Sequence, residues 1–352
     1  MKNLALFYIK KRLPLFLIVL GITLIFSTLF VTTTETTVTY YKDTTKYLLI
    51  DDGLTFNTSI LIVLATIIPI YEFSFKMKKR GCDLFYSLPI TRKKLYLFKY
   101  LFGLCEMLAI FIINYLISEI VVICKSVNVE YYNQQFKMGY IFLYFGVAIL
   151  LGILLYSWVT FFYTRANTFF DGIISIALSM AVLAALSGGI LLYCQDFRWI
   201  RYSNTENLFY PYHYVPFVSF INISKLFSNR TCELPKNYYM YPISEFYPDI
   251  LTWILALGVL VLFIVLAGKE KAEESEDISD SPFVYLITLP VIIVSGYATC
   301  EISNPSWIAL IIGGYIGYVI YNRNFLLRKI DLITLLASEG LGFALMLTKL
   351  MK

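Results

Sequence analysis

The sequence predicts an all-α integral membrane protein, a polytopic helix bundle with eight spans and a ninth, C-terminal hydrophobic helix that either spans the membrane or lies at its interface. Hydrophobic residues make up 59% of the 352 residues and charged residues 15%, with a mean hydropathy of +0.70. Soluble domains carry about 45–50% apolar and about 25% charged residues. The apolar residues also form runs long enough to cross a bilayer. A chain built mostly of such runs predicts one membrane domain.

These runs can be placed in order along the chain. Crossing the hydrocarbon takes about 20 apolar residues in a helix, because about 30 Å is covered at 1.5 Å per residue and every backbone polar group must be paired. Eight runs approach this length, at 13–31, 57–75, 100–123, 139–163, 172–193, 250–268, 283–300 and 307–325. The first is followed by VTTTETTVTY, which lacks a small-x-small cleavage site, so we expect it to remain as an anchor.

The sequence of the ninth run, 332–347, supports two interpretations about equally. Its length permits a span with local thinning of the bilayer. However, Thr334, Ser338 and Gly342 recur at four-residue spacing beside Glu339, which suggests an amphipathic interfacial helix. We favour a ninth helix packed against the bundle, with the tail outside.

The orientation follows from the distribution of Lys and Arg, because cationic loops resist translocation and acidic ones matter little. The segments that would lie inside hold 18 cations, and the loops that would lie outside hold nine. The amino terminus is therefore predicted to be cytoplasmic. The acidic segment after the sixth run is also inside and reads as a solvated hinge.

The segment 76–99, between the second and third runs, carries most of the functional information. Pro89 interrupts it, and Thr91 is placed to cap a helix that runs from Arg92 into the third span. The part before Pro89 predicts a short amphipathic helix, whose apolar face opposite the cations holds Met77, Gly81, Leu84, Phe85 and Leu88. This basic elbow is either an interfacial helix on anionic lipid or a docking element for a partner protein.

Ionisable residues inside the spans are further candidates, because a charge in hydrocarbon is costly and usually faces protein or water. Glu106 and Glu119 both lie in the third run. They are about 220° apart around the helix, so they do not form a proton relay with each other. Each has a substrate-contact or helix-pairing role, or it snorkels or makes a local hydrogen bond. We expect Lys99 or another basic flank to neutralise Glu106.

The longest loop, 194–249, lies outside in the predicted topology and is rich in Tyr and Phe. It is either a cap over the outer end of the bundle or a gate or exit surface for a substrate. A disulfide between Cys194 and Cys232 would close this loop, and the sequence leaves that pairing open.

Motifs of enzyme chemistry are missing from the sequence. It contains no G-x-x-x-x-G-K-[ST], no H-E-x-x-H and no G-x-S-x-G. The one histidine, His213, stands in the outer loop between two tyrosines, where a packed surface residue is expected rather than a metal ligand. We expect this chain to be no enzyme by itself, with no metal and no nucleic-acid partner.

Three stretches resemble a known family. DLFYSLPITRKKLYLFKYLFG (83–103) resembles the loop after the second span in permeases of the ABC-2 type transporter family, where an S-L-P-I-x-R core leads into the third span. AGKEKAEES (267–275) resembles the charged stretch after span six of bacterial members, and NRNFLLRKI (322–330) resembles a basic inner flank further on. The resemblance implies a six-span transmembrane core at 1–268, with a coupling elbow at 76–99 and an outer loop at 194–249, followed by additional C-terminal membrane helices at 269–352.

The resemblance also implies a function. The chain would be the permease subunit of an ATP-driven ABC exporter that moves amphipathic or hydrophobic compounds, such as peptides, antibiotics or lipids, across the cytoplasmic membrane. A separate ABC ATPase subunit would bind ATP and Mg and hold the elbow in a groove, and a second permease copy, identical or different, would complete the exporter. The coupling residues that the resemblance implies are Met77, Lys78, Arg80, Leu84, Phe85, Tyr86, Leu88, Pro89, Thr91, Arg92 and Lys93.

A second function stays open at this point. A non-transporting membrane protein of the binding or immunity type would capture a ligand at the outer aromatic loop. Only the exporter requires a stoichiometric ATPase, so co-purification distinguishes the two.

Overall fold

The computed structural model describes residues 2–33, 37–40, 46–49, 51–87, 90–127, 138–196, 215–221, 247–269, 276–277, 279, 281–300 and 305–348. These residues are almost entirely helical. The helices are α1 (Lys2–Thr33), α2 (Asp51–Phe73), α3 (Lys79–Tyr86), α4 (Arg92–Val127), α5 (Met138–Arg165), α6 (Phe169–Asp196), α7 (216–221), α8 (Tyr247–Leu266), α9 (Thr288–Thr299), α10 (Ser306–Asn322) and α11 (Lys329–Thr348). A 3-10 turn, Ser74–Met77, follows α2, and a π-helical turn, Pro282–Leu286, precedes α9.

Each of the nine predicted apolar runs overlaps a helix, and the run 283–300 begins in the π-helical turn that precedes α9. Six of the described helices are long and apolar enough to cross a membrane, namely α1, α2, α4, α5, α6 and α11. The described apolar stretches of α8, α9 and α10 are shorter, at 10–17 residues. The chain is therefore a helical membrane protein. The C-terminal helix, for which the sequence leaves two interpretations, is among the six that have the length of a span.

A short β-hairpin follows α1, in the Thr-rich segment between the first and second predicted runs. Strand β1 (Thr37–Tyr40) pairs antiparallel with β2 (Lys46–Leu49), in a register that sets Thr37 opposite Leu49 and Tyr40 opposite Lys46. The β-branched and aromatic residues of these strands favour extended backbone. The hairpin adds to the predicted all-α fold without changing its class.

The chain divides into two compact units. The first comprises Met1–Ile68, Tyr100–Tyr156 and Phe220–Tyr241, and the second comprises Pro69–Lys99, Ser157–Ser219 and Pro242–Lys352.

In the first unit, polar side chains join α1 to α4 inside the apolar helices. The Ser27 and Ser118 hydroxyls are 2.6 Å apart, and the Asn114 amide donates to the Thr23 hydroxyl at 2.9 Å. Ser27 and Asn114 are fully buried. Hydrogen bonds between membrane helices average about 0.6 kcal/mol, so they orient these helices more than they stabilise the unit.

In the second unit, α9 lies against α6, α10 and α11. The Tyr297 hydroxyl of α9 donates to the Glu339 carboxylate of α11, and the Tyr318 and Thr334 hydroxyls join α10 to α11 at 3.1 Å. The predicted polar face of α11 therefore contacts neighbouring helices. Ser338 and Gly342 are buried, and Leu336 and Ile333 on the other side are 62% and 65% exposed, as expected of a helix that faces lipid.

Candidate functional site

The basic elbow lies in the second unit, between α2 and α4. The helical backbone continues past α2 as the 3-10 turn and breaks at Lys78, which is extended (φ −131°, ψ 126°). It then resumes as α3. Helix α4 begins at Arg92, where the sequence predicts it, and the Leu95 N–H donates to the Thr91 carbonyl at 3.0 Å, as expected when Thr91 is the N-cap residue.

The break at Lys78 changes which side chains of the elbow are buried. Met77 belongs to the 3-10 turn and is 4% exposed, whereas Leu84 is 67% exposed. The prediction that these two residues lie on one face of a single continuous helix is wrong. That prediction required an uninterrupted helix, and one extended residue ends the periodicity on which it depends.

Lys76 anchors the inner side of the elbow. It is 2% exposed, and its Nζ donates to the backbone carbonyls of Thr164 and Ala166, the latter at 3.1 Å. Both carbonyls lie at the C-terminal end of α5, where the last turn of a helix has no partners of its own and where a cation is favoured by the helix dipole. The buried ammonium and the carbonyls therefore satisfy each other.

Helix α3 packs directly on the 3-10 turn. Cys82 is 1% exposed, and its Sγ is 3.2 Å from the Lys76 carbonyl. A Cβ at Gly81 would collide with the Phe75 carbonyl oxygen, so this close approach requires glycine. The Phe75 ring packs on the Phe85 ring, with 4.7 Å between the centroids. These contacts fix the helix against the chain that precedes it.

Lys99 anchors the elbow from its other end. It is 3% exposed, and its Nζ donates to the Glu72 carbonyl at 3.1 Å and lies 3.9 Å from the Glu72 carboxylate. The same ammonium is 4.0 Å from the centroid of the Phe75 ring and 4.1 Å from that of Phe85. This arrangement combines an ion pair with two cation–π contacts in a buried place. It joins α2, α3 and α4.

The outward side of the elbow carries mostly cations around one apolar side chain, and one acid, Asp83, is exposed beside it. Lys78, Lys79 and Arg80 before Leu84, and the run 92–94 after it, are exposed. Six of the predicted coupling residues are exposed: Lys78, Arg80, Leu84, Thr91, Arg92 and Lys93. Phe85 and Tyr86 are half-buried, and Met77 is buried. Leu88 and Pro89 lie outside the described residues.

Tyr86 holds the two halves of the elbow together. Its hydroxyl is 3.1 Å from that of Tyr96, and the Arg92 guanidinium lies over its ring, 4.7 Å from the centroid. Tyr96 is fully buried in the first turns of α4. The half-buried Tyr86 therefore connects α3 to α4 rather than projecting from the elbow.

Glu276 caps α3 from a distant part of the chain. The N-cap residue Lys78 makes no side-chain cap, and the Lys79 N–H donates instead to Glu276 Oε1 at 3.2 Å. The Glu276 N–H donates to the Asn167 carbonyl at 3.0 Å. Gly268, with φ of 76°, brings the chain after α8 against the backbone of the first turn of α4. The segment predicted as a solvated hinge thus contacts the elbow through an exposed residue.

Asp171, in the first turn of α6, joins the remaining segments. Its carboxylate accepts hydrogen bonds from the Ser279 and Tyr285 hydroxyls, both at 2.9 Å, and pairs with the Arg323 guanidinium at 3.1 Å. Asp171 is 5% exposed, so these partners compensate a buried charge. Four segments that the charge distribution assigns to the same side of the membrane, at 76–99, 165–171, 276–281 and 322–331, are therefore joined within one unit.

The two intramembrane carboxylates of α4 lie in the first unit. Glu106 is 8% exposed. Glu119 accepts a hydrogen bond from the Tyr115 hydroxyl, four residues earlier on the same helix. This contact agrees with the local hydrogen bond that is one of the sequence's alternatives for Glu119.

The anchoring roles of Lys76, Glu276 and Asp171 are missed by the sequence interpretation. No local pattern in the sequence brings the Lys76 ammonium to the carbonyls at the end of α5. No local pattern points from Glu276 to α3 across nearly 200 residues.

Other predicted features fall elsewhere. His213 and the side chains of Cys194 and Cys232 lie outside the described residues. Within the described part of the chain, no three His, Cys, Asp or Glu side chains are close enough to hold a metal ion.

Comparison of the chain with protein-family models, with curated protein sequences and with solved structures finds no match in any of the three.

Proposed function

We propose that this chain is the membrane-spanning permease of an ATP-driven ABC exporter for amphipathic or hydrophobic compounds. It is a multi-pass protein of the cytoplasmic membrane with eight spans and a ninth C-terminal helix, and its amino terminus is cytoplasmic. A separate ABC ATPase supplies hydrolysis and binds ATP and Mg, and a second permease copy completes the exporter. The resemblance of the 83–103 stretch to ABC-2 permeases is the starting point.

The observation that carries the proposal is the two-sided construction of the elbow. Its inner side is fixed by Lys76, Lys99 and the close contact at Gly81. Its outer side presents Leu84, 67% exposed, among cations. A helix that only lay on lipid would need no such bracing, whereas a docking element must resist the force that its partner applies. The braced helix suits a partner that pushes on it.

The chemistry of the partner follows from this surface. Leu84 fits an apolar pocket, and the surrounding Lys and Arg side chains fit an acidic rim. Full burial of a leucine side chain is worth about 1.5–3 kcal/mol. Since about two-thirds of Leu84 remains to be buried, the pocket gains about 1–2 kcal/mol from it.

The test is a pair of matched aspartate variants of the full chain, purified from native membranes in mild detergent. Leu84→Asp loses the apolar contact and places a carboxylate in an apolar pocket, so ATPase binding should fall at least about thirtyfold. Leu286→Asp is the control, because Leu286 is 50% exposed and lies outside the elbow, in the π-helical turn before α9. Both substitutions are at exposed positions and should leave folding intact.

The readout is the stoichiometry of a co-purifying ATPase, measured by mass spectrometry. The wild type and Leu286→Asp should retain one ATPase per permease, and Leu84→Asp should lose it. Retention by all three proteins would refute docking through the elbow. If the wild type carries no ATPase, the alternative of a non-transporting binding protein that acts at the outer loop is favoured.

A further inference from the structure

The turn between α10 and α11 displays apolar side chains in the open. Leu326 is 82% exposed and Phe325 79%, and Ile330, in the first turn of α11, is 72% exposed. In the first turn of α6, Phe170 is 75% exposed. In the described part of the chain, no large apolar side chain is more exposed than Leu326, Phe325 and Phe170. Side chains that are this exposed and this close together mark an interaction surface.

Hydrogen bonds hold the turn that carries Phe325 and Leu326 in place. Arg323 has a left-handed backbone (φ 53°), and its guanidinium bonds both Thr168 and Asp171 at 3.1 Å, which joins this turn to the start of α6. The Tyr315 hydroxyl donates to the Phe325 carbonyl at 2.8 Å, and the Leu326 N–H donates to the Asn324 side chain at 3.1 Å. These hydrogen bonds involve the backbone of the turn, so its apolar side chains project outward from a braced loop.

The charges beside these side chains are positive. Arg328 and Lys329 are exposed at the start of α11. The nearest acid in sequence, Asp331, is 6% exposed and accepts a hydrogen bond from the Asn322 amide at 2.9 Å. Asp171 is paired with Arg323. The surface formed by Phe170, Phe325, Leu326, Arg328, Lys329 and Ile330, here called the rim patch, therefore presents net positive charge beside apolar groups.

The position of the rim patch indicates which kind of molecule binds there. It lies where two apolar helices end, and Ile330 continues along α11 into the lipid-facing side that holds Ile333 and Leu336. Apolar side chains at such a level enter the boundary between headgroups and acyl chains, and Lys or Arg beside them bind phosphate. We propose that the rim patch is a binding site for an anionic phospholipid, whose phosphate lies on Arg328 and Lys329 and whose acyl chains lie on Phe325, Leu326 and Ile330. The proposal does not depend on transport.

The test measures lipid binding to the full chain in detergent by native mass spectrometry, with phosphatidylglycerol and phosphatidylcholine of identical acyl chains. The wild type should prefer phosphatidylglycerol. Each cation near an anionic surface contributes about fivefold, so Arg328→Gln with Lys329→Gln should weaken phosphatidylglycerol binding roughly 25-fold and leave phosphatidylcholine unchanged. Phe325→Ser with Leu326→Ser should weaken both lipids alike.

The control removes two exposed cations elsewhere, Lys10→Gln with Lys11→Gln in α1, and should not alter the preference. An equal loss in the control would mean that the lipid follows overall charge, and it would overturn the proposal. Displacement of phosphatidylglycerol by soluble glycerol phosphate would identify a site for a free phosphate ester and would also overturn it. Loss of a bound protein from the rim-patch variants, with lipid binding intact, would assign the patch to a protein partner instead.

Discussion

If Lys76 anchors the elbow, a single substitution at this residue should lower the stability of the elbow. Lys76→Met keeps a long unbranched side chain, one heavy atom shorter, and removes the ammonium, so the Thr164 and Ala166 carbonyls lose this donor. Two hydrogen bonds from a charged group are worth about 3–6 kcal/mol in total. Part of this is recovered because the variant buries no charge. We expect the elbow to lose about 2 kcal/mol of local stability.

Hydrogen exchange of the full chain in nanodiscs measures this loss directly. If α3 opens locally, 2 kcal/mol corresponds to roughly thirtyfold faster exchange of its backbone amides. Lys78→Met is the matched control, because Lys78 is two residues away and exposed. It should leave the exchange of α3 unchanged. Equal rates in the two variants, whether both are fast or both are slow, would refute the role of Lys76 as an anchor.

Three further predictions concern the elbow and the carboxyl terminus. Glu276→Ala removes the distant cap and should speed exchange of the first α3 amides two- to fivefold; the same change in the amides after Asp277→Ala would contradict capping. Gly81→Ala should destabilise the protein by about 1–3 kcal/mol through the collision with the preceding carbonyl, whereas Gly21→Ala, where the added carbon meets open space, should be neutral or slightly stabilising in thermal unfolding. A phosphatase-type reporter fused after Lys352 should be active if α11 spans, and fluorescence of a cytoplasm-only reporter at that position would show that it does not.

The helices are the part of the fold that the sequence predicts well. Long apolar runs leave the backbone no alternative to helix in a membrane, so run position alone locates α1, α2 and α4. The start of α4 at Arg92 is equally predictable, since the neighbouring residues Pro89 and Thr91 fix it to within a few positions. The length of α9 is less predictable, because the π-helical turn before it breaks a run that is continuous in hydropathy.

The bracing of the elbow is not predictable in the same way. Burial of Lys76 and Lys99 depends on carbonyls and rings that other helices bring, and helical phase restarts after the extended Lys78. Before the structure is known, both lysines look like ordinary inner-flank cations. The capping by Glu276 likewise depends on contact between segments far apart in sequence.

The length of α4 has a mechanical consequence. At 1.5 Å per residue, its 36 residues form a rod about 54 Å long, well beyond the roughly 30 Å of hydrocarbon. If the rod pivots at its middle, a tilt of about 5° moves each end by about 2 Å in opposite directions. A small displacement at Arg92 would then appear, reversed, near Val127 with no rearrangement of side chains in between. A helix of this length would turn a push at its first residues into a sideways shift of its far end.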